Sequence, residues 1–124
     1  MSTILIIDED PVEISALQEM LGKDYRIETA ATAGHAQEVV RTQGENIAAI
    51  VLDWQLKGGG AALVQWLRAQ IGLSEVEVIV QSAHLVPEDL SEALESGAYY
   101  YLTRPFAAGQ LQAIIRSAVR SCEI

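Results

Sequence analysis

The chain has 124 residues, half of them apolar, so it can bury a core without disulfides or metal staples, and one compact domain spanning residues 1–124 is the expected organisation. A formal net charge of -9, from 17 acidic and 8 basic residues, excludes wrapping nucleic acid or an anionic membrane by charge and leaves a cationic or metal partner as the better match. No run approaches the roughly 18 apolar residues of a membrane span, no basic leader precedes Ile4, and the lone Cys122 cannot close an internal disulfide, which together fit a reducing cytoplasm.

Short apolar runs alternate with amphipathic segments along the chain. Ile4 to Ile7 is too short for a helix, is rich in β-branching, and ends on Asp8-Glu9-Asp10-Pro11. Pro11 opens a helix with Asp10 as its N-cap, and Val12, Ile14, Ala16, Leu17, Met20 and Leu21 follow at helical spacing up to Gly22. Tyr25 to Ala30 alternates as an edge strand exposed on one side, and Thr32 to Gln43 is a short helix with Ala36, Val39 and Val40 inward, closed by Gly44. Ile47 to Asp53 is a nearly continuous apolar run that stops on a carboxylate, the pattern of a strand buried on both faces.

A polar, glycine-rich loop from Gln55 to Gly60 leads into a helix over Ala61 to Gln70, which carries Leu63, Val64, Trp66 and Leu67 and is ended by Gly72. Val76 to Val80 forms the fourth strand and ends on Gln81-Ser82-Ala83-His84. An acidic helix spans Pro87 to Ser96, closed by Gly97, and the fifth strand, Tyr99 to Thr103, ends on Arg104-Pro105. A last helix covers Ala107 to Arg120 with Leu111, Ile114, Ile115, Ala118 and Val119 inward.

Five strand–helix alternations imply right-handed crossovers and an open parallel sheet with helices on both faces. In such sheets the functional crevice lies beyond the carboxyl ends of the strands. Asp8, Glu9, Asp10, Asp53, Ser82 and Arg104 all sit at those ends. Carboxylates of this kind suit a hard cation such as Mg²⁺, one of them could act as nucleophile towards a phosphoryl group, and a hydroxyl and a cation could hold its oxygens. Taken singly, each of these residues could equally cap a helix or a turn.

Ile-Ile-Asp-Glu-Asp-Pro at residues 6 to 11, Val-Leu-Asp at 51 to 53, Val-Gln-Ser-Ala at 80 to 83 and Tyr-Leu-Thr-Arg-Pro-Phe at 101 to 106 together resemble the receiver domain of two-component response regulators. The resemblance implies a flavodoxin-like doubly wound five-stranded parallel sheet of order 2-1-3-4-5. It also implies Asp53 as phosphoacceptor, and Mg²⁺ held by Asp8, Glu9, Asp53 and the backbone carbonyl of Gln55. Ser82 falls at the switch hydroxyl, Tyr101 at the switch aromatic, and Arg104-Pro105 at a Lys-Pro pair whose peptide bond is usually cis.

The chain departs from the pattern at several points. Arg104 replaces a lysine, and a planar fork is not interchangeable with a compact ammonium. Glu9 stands for the usual aspartate and Lys57 for a proline. Gly58-Gly59-Gly60 makes the loop after Asp53 mobile or unusually bent. Lys57 and His84 are either solvated loop residues or modulators of the site, and Gln55 occupies a position that in the family influences acyl-phosphate lifetime. Tyr99-Tyr100-Tyr101 must expose at least one ring, as an aromatic anchor for a partner or lying over a helix. His35, Trp54 and Trp66 are expected as surface or packing residues.

The expected function is therefore a receiver, not an enzyme, that takes a phosphoryl group from a histidine kinase or phosphotransfer protein. It would signal through strand five and the last helix, with a homodimer as a further possibility and no direct contact with nucleic acid or membrane. A degenerate receiver acting as a phosphorylation-independent interaction module is the alternative. An aspartyl-phosphate hydrolase of haloacid dehalogenase type is a third reading, weakened because no acidic pair follows Val80.

Overall fold

The computed structural model describes residues 1–70, 73, 75–84 and 86–123, without the side chains of 122 and 123. The chain runs β1 (Thr3–Ile7), α1 (Pro11–Leu21), β2 (Arg26–Ala30), α2 (Ala33–Gln43), a 3₁₀ turn (Gly44–Asn46), β3 (Ile47–Asp53), α3 (Gly60–Arg68), β4 (Glu77–Ser82), α4 (Pro87–Glu95), β5 (Tyr100–Thr103) and α5 (Ala108–Glu123). All strand pairs are parallel and the sheet order is β2-β1-β3-β4-β5, as the resemblance implied.

Strand parity sorts the core into two layers, because successive side chains leave a strand on opposite faces. Leu5, Ile7, Ile50, Leu52, Val78 and Val80 face α2 and α3. Ile4, Ile6, Ala49, Val51, Ile79 and Leu102 face α1 and α5, where Leu17, Leu21, Leu111 and Ile115 complete the second layer. Burial on both faces explains why β1 and β3 read as continuous apolar runs while β2, at the edge, does not.

Helix starts follow their caps. The Asp10 carboxylate accepts the Val12 N–H at 2.9 Å, and the Thr32 hydroxyl accepts that of His35 at 3.0 Å. One apolar position of α1 is corrected: Val12, in the first turn, is 73 % exposed. Thr32 caps α2 from outside it. α3 begins at Gly60, which follows a left-handed Gly59 (φ 93°), and stops at Arg68, where the Ala69 N–H reaches back to the Gln65 and Trp66 carbonyls. α5 runs past Arg120 to Glu123, since no breaker stands between them. Gly72 and the Cys122 side chain lie outside the described residues. No helix among the described residues is long and apolar enough to cross a membrane.

Arg68 joins three elements below the sheet. Its guanidinium donates to the carbonyls of Val76 and, at 2.7 Å, of Gly97, and it lies 3.9 Å from Glu77. Arg68→Ala should lower stability in thermal or urea unfolding by about 2 kcal/mol, since two carbonyls lose a charged donor. Arg68→Lys, which lacks the fork, should recover less than half of that.

Candidate functional site

The sheet ladder continues past its strand ends and fixes the residues that follow. The backbone N–H groups of Asp8, Trp54 and Arg104 donate to the carbonyls of Ala30, Gln81 and Ser82 at 3.0, 2.9 and 2.8 Å. Parity then divides the strand-end side chains into two clusters. Asp8, Asp53, Gln81 and Arg104 continue the alternation of Ile6, Val51, Ile79 and Leu102, on the face of α1 and α5. Ser82 and Tyr101 continue the opposite alternation, on the face of α3 and α4.

In the first cluster Asp8 is fully buried. Its Oδ1 accepts the Asp10 N–H at 2.9 Å and its Oδ2 accepts from Gln81 Nε2 at 3.1 Å, while Gln81 Oε1 is buried without a partner. Asp53 Oδ1 accepts the Gln55 N–H at 3.2 Å. The Arg104 guanidinium spans the group: Nη1 lies 3.2 Å from Glu13 and 3.8 Å from Asp8, and Nη2 lies 3.5 Å from Asp53. Arg104 thus points towards Asp53, not to solvent, and the Arg104–Pro105 peptide is cis.

Burial pushes the Asp8 carboxyl up to about 6, with the Asp53 charge adding to the effect and the Asp10 N–H and Arg104 opposing it. Burial raises Asp53 as well, against the Gln55 N–H and Arg104, while the charges of Glu9 and Glu13 add to the rise. A divalent cation would relieve this crowding. The oxygen-only donors Asp8, Asp53, the exposed Glu9 and the Gln55 carbonyl fit Mg²⁺ chemically. Among the described residues no three acidic, histidine or cysteine side chains form a ready-made shell, and Mg²⁺ commonly takes one or two carboxylates with waters and phosphate oxygens.

In the second cluster the Ser82 hydroxyl lies 2.9 Å from Gln55 Nε2, 3.2 Å from Gln55 Oε1 and 3.0 Å from the His84 carbonyl. It also accepts the His84 N–H at 3.2 Å. The Tyr101 hydroxyl donates to that same His84 carbonyl at 2.9 Å. Gln55 therefore joins the two clusters, its backbone on Asp53 and its amide on Ser82.

The remaining candidates separate clearly. The side chains of Lys57, His84 and His35 are exposed. Gly58 and Gly59 both take positive φ, 99° and 93°, so the glycine loop is sharply bent. Trp54 is a core residue packed on Gly60, and Trp66 lies half-buried under Arg41. Tyr99 is exposed, with its hydroxyl 2.8 Å from that of Ser117 on α5, and Tyr100 is exposed beside it. Sequence reasoning missed Glu13 and the buried role of Gln81. Glu13 looks like an ordinary first-turn acid, whereas an amide extending the run Val78-Ile79-Val80 was a usable signal.

A family model described as the response regulator receiver domain matches residues 4–116. The chain is 32 % identical over 121 residues to the KDP operon transcriptional regulatory protein KdpE of Escherichia coli (strain K12), covering 97 % of this chain and 52 % of that protein. It is 28 % identical over 121 residues to response regulator RppA of Synechocystis sp., covering 97 % and 51 %. The chain spans about half the length of these curated relatives. A receiver domain protein from Clostridium thermocellum superposes with a TM-score of 0.89 at 19 % identity, covering 97 % of this chain and 95 % of that one. A CheY-like receiver from Methanospirillum hungatei JF-1 gives 0.87 at 23 %, covering 99 % and 97 %.

Proposed function

The chain belongs to the response regulator receiver domain family, and from that premise we propose that it accepts a phosphoryl group on Asp53 from a phosphohistidine of a kinase or phosphotransfer partner. The observation that carries this reading is Arg104: despite its departure from the family lysine, its guanidinium reaches within 3.5 Å of Asp53. In the transfer an Asp53 oxygen bonds to phosphorus, the P–N bond of the donor breaks, and the leaving imidazole keeps the electron pair. Mg²⁺, held by Asp8, Glu9, Asp53 and the Gln55 carbonyl, supplies charge neutralisation when bound. Arg104 takes one phosphoryl oxygen. Ser82 leaves Gln55 to take another, and Tyr101 follows through the shared His84 carbonyl. The domain turns over no external substrate and works in the cytoplasm. Tyr99, Tyr100 and α5 form the face offered to an output partner or a second copy.

A phosphorylation-independent interaction module is the second reading. It is favoured by one observation: the Tyr101 hydroxyl is already docked on His84 with Asp53 unmodified. Family membership leaves the hydrolase reading without support.

Incubation with a small phosphodonor and Mg²⁺, followed by intact mass, decides between the two. One phosphoryl adduct that disappears in Asp53→Ala is expected. No adduct, or one that survives that substitution, overturns phosphoacceptance.

A further inference from the structure

Arg104 departs from the family lysine at the centre of the site, and its partners are unequal. Its shortest ion pair is with Glu13 of α1, at 3.2 Å. Its distances to Asp8 and Asp53, 3.8 and 3.5 Å, exceed the roughly 2.7–2.9 Å of a close charge-assisted hydrogen bond. The guanidinium therefore stands off the two carboxylates expected to meet the metal, held back on the side where Glu13 lies.

A cation in this position faces a conflict. Collapsed onto Asp8 and Asp53, an arginine would satisfy both buried carboxylates and compete with a divalent ion for them. A lysine offers one compact charge, whereas the fork offers two nitrogens that can serve separate partners. Glu13 engages Nη1, the nitrogen that also faces Asp8, and Nη2 is left facing Asp53. Glu13 and Arg104 also line one open cavity of about 570 Å³, with Met20 and Phe106 also in its wall, so the pair sits where a phosphodonor could reach it.

We propose that Glu13 is a positioning residue for the phosphoacceptor site: it tethers Arg104 to α1, keeps the guanidinium from closing on Asp8 and Asp53, and so leaves both carboxylates available to a divalent cation. The inference rests on the reading of Asp53 and its acids as a Mg²⁺-assisted site. It makes arginine at position 104 and glutamate at position 13 a working pair, so that neither substitution is neutral without the other.

The test is a double-mutant cycle on Mg²⁺ affinity, measured calorimetrically on the whole chain, with Glu13→Ala, Arg104→Ala and their combination. Glu13→Ala should weaken Mg²⁺ about three- to tenfold when Arg104 is present and less than twofold in the Arg104→Ala background, where only its charge at a distance is lost. An equal loss in both backgrounds, or no loss in the first, overturns the proposal. A second readout needs no metal: in Glu13→Ala the guanidinium should close on the buried Asp8 and Asp53, so the Arg104 side-chain N–H resonance should shift and become more protected from solvent exchange than in the parent protein. If it does not, the tether is wrong even where Mg²⁺ binds. If it does while the parent binds no Mg²⁺, the tether stands and the Mg²⁺-assisted reading of the site fails. Glu13→Gln, which keeps size but not charge, should behave as Glu13→Ala; parent-like behaviour would overturn the electrostatic tether.

Discussion

Asp8→Asn should stabilise the metal-free protein at neutral pH by about 1–3 kcal/mol while cutting its Mg²⁺ affinity at least tenfold. The gain comes from removing a buried charge. Asp8 is fully buried and its carboxyl is raised from 3.8 to about 6, so at pH 7 the fold carries a charge it would rather neutralise. Asparagine removes that charge, and its carbonyl oxygen can keep accepting from the Asp10 N–H or from Gln81 Nε2. The pH dependence follows the same sign. A carboxyl whose folded value lies above its unfolded one binds protons more tightly when folded. Its cost to stability is therefore full above about 6 and relieved as pH falls towards 3.8. Raised by burial in the same direction, Asp53 adds to the trend. Urea unfolding of the metal-free parent from pH about 7 to about 5 should show rising stability, with a shallower slope in Asp8→Asn. A parent that weakens over that range, or a destabilised Asp8→Asn, would contradict this account of the site.

Gly60→Ala should cost about 2–3 kcal/mol through one methyl that has no room. A Cβ there would lie 2.5 Å from Trp54 Cε3 and 2.8 Å from Cζ3, well inside contact distance. The indole cannot step aside easily, because Trp54 is itself buried against the core. Since Trp54 directly follows Asp53, relief of the clash would also shift the phosphoacceptor, and phosphorylation should slow together with the loss of stability. The control is Trp54→Leu, in which Gly60→Ala should cost less than half as much in the same unfolding assay. A cost unchanged by Trp54→Leu would place the problem in the backbone instead of the ring.

What the sequence disclosed was mostly what period and punctuation encode. β1 and β3 announced themselves as two-sided strands because no polar residue interrupts Ile4 to Ile7 or Ile47 to Leu52, and Asp10 caps α1 as its type suggests, whereas Thr32, expected as the first residue of α2, caps it from outside. The strand ends that gather Asp8, Asp53, Ser82 and Arg104 were equally legible, since parallel topology sends them all to one edge. The division of those residues between two faces was also implicit in strand parity, yet it became visible only once the register was known. Glu13 was hidden because its role depends on how far a guanidinium from the far end of the chain reaches across α1. Helix ends moved by one to three residues where backbone bonds at Ala69 and an uninterrupted run after Arg120 outweighed side-chain signals.

The hydroxyls of Ser82 and Tyr101 meet on the carbonyl oxygen of His84, an atom that every amino acid carries. The link between the two therefore belongs to the path of the main chain and not to the identity of position 84. Exchanging the side chain at 84 leaves that shared acceptor in place wherever the main chain keeps its course. The coupling is instead vulnerable to insertion, deletion or a change of turn between β4 and α4, which would move the oxygen while leaving every named residue intact.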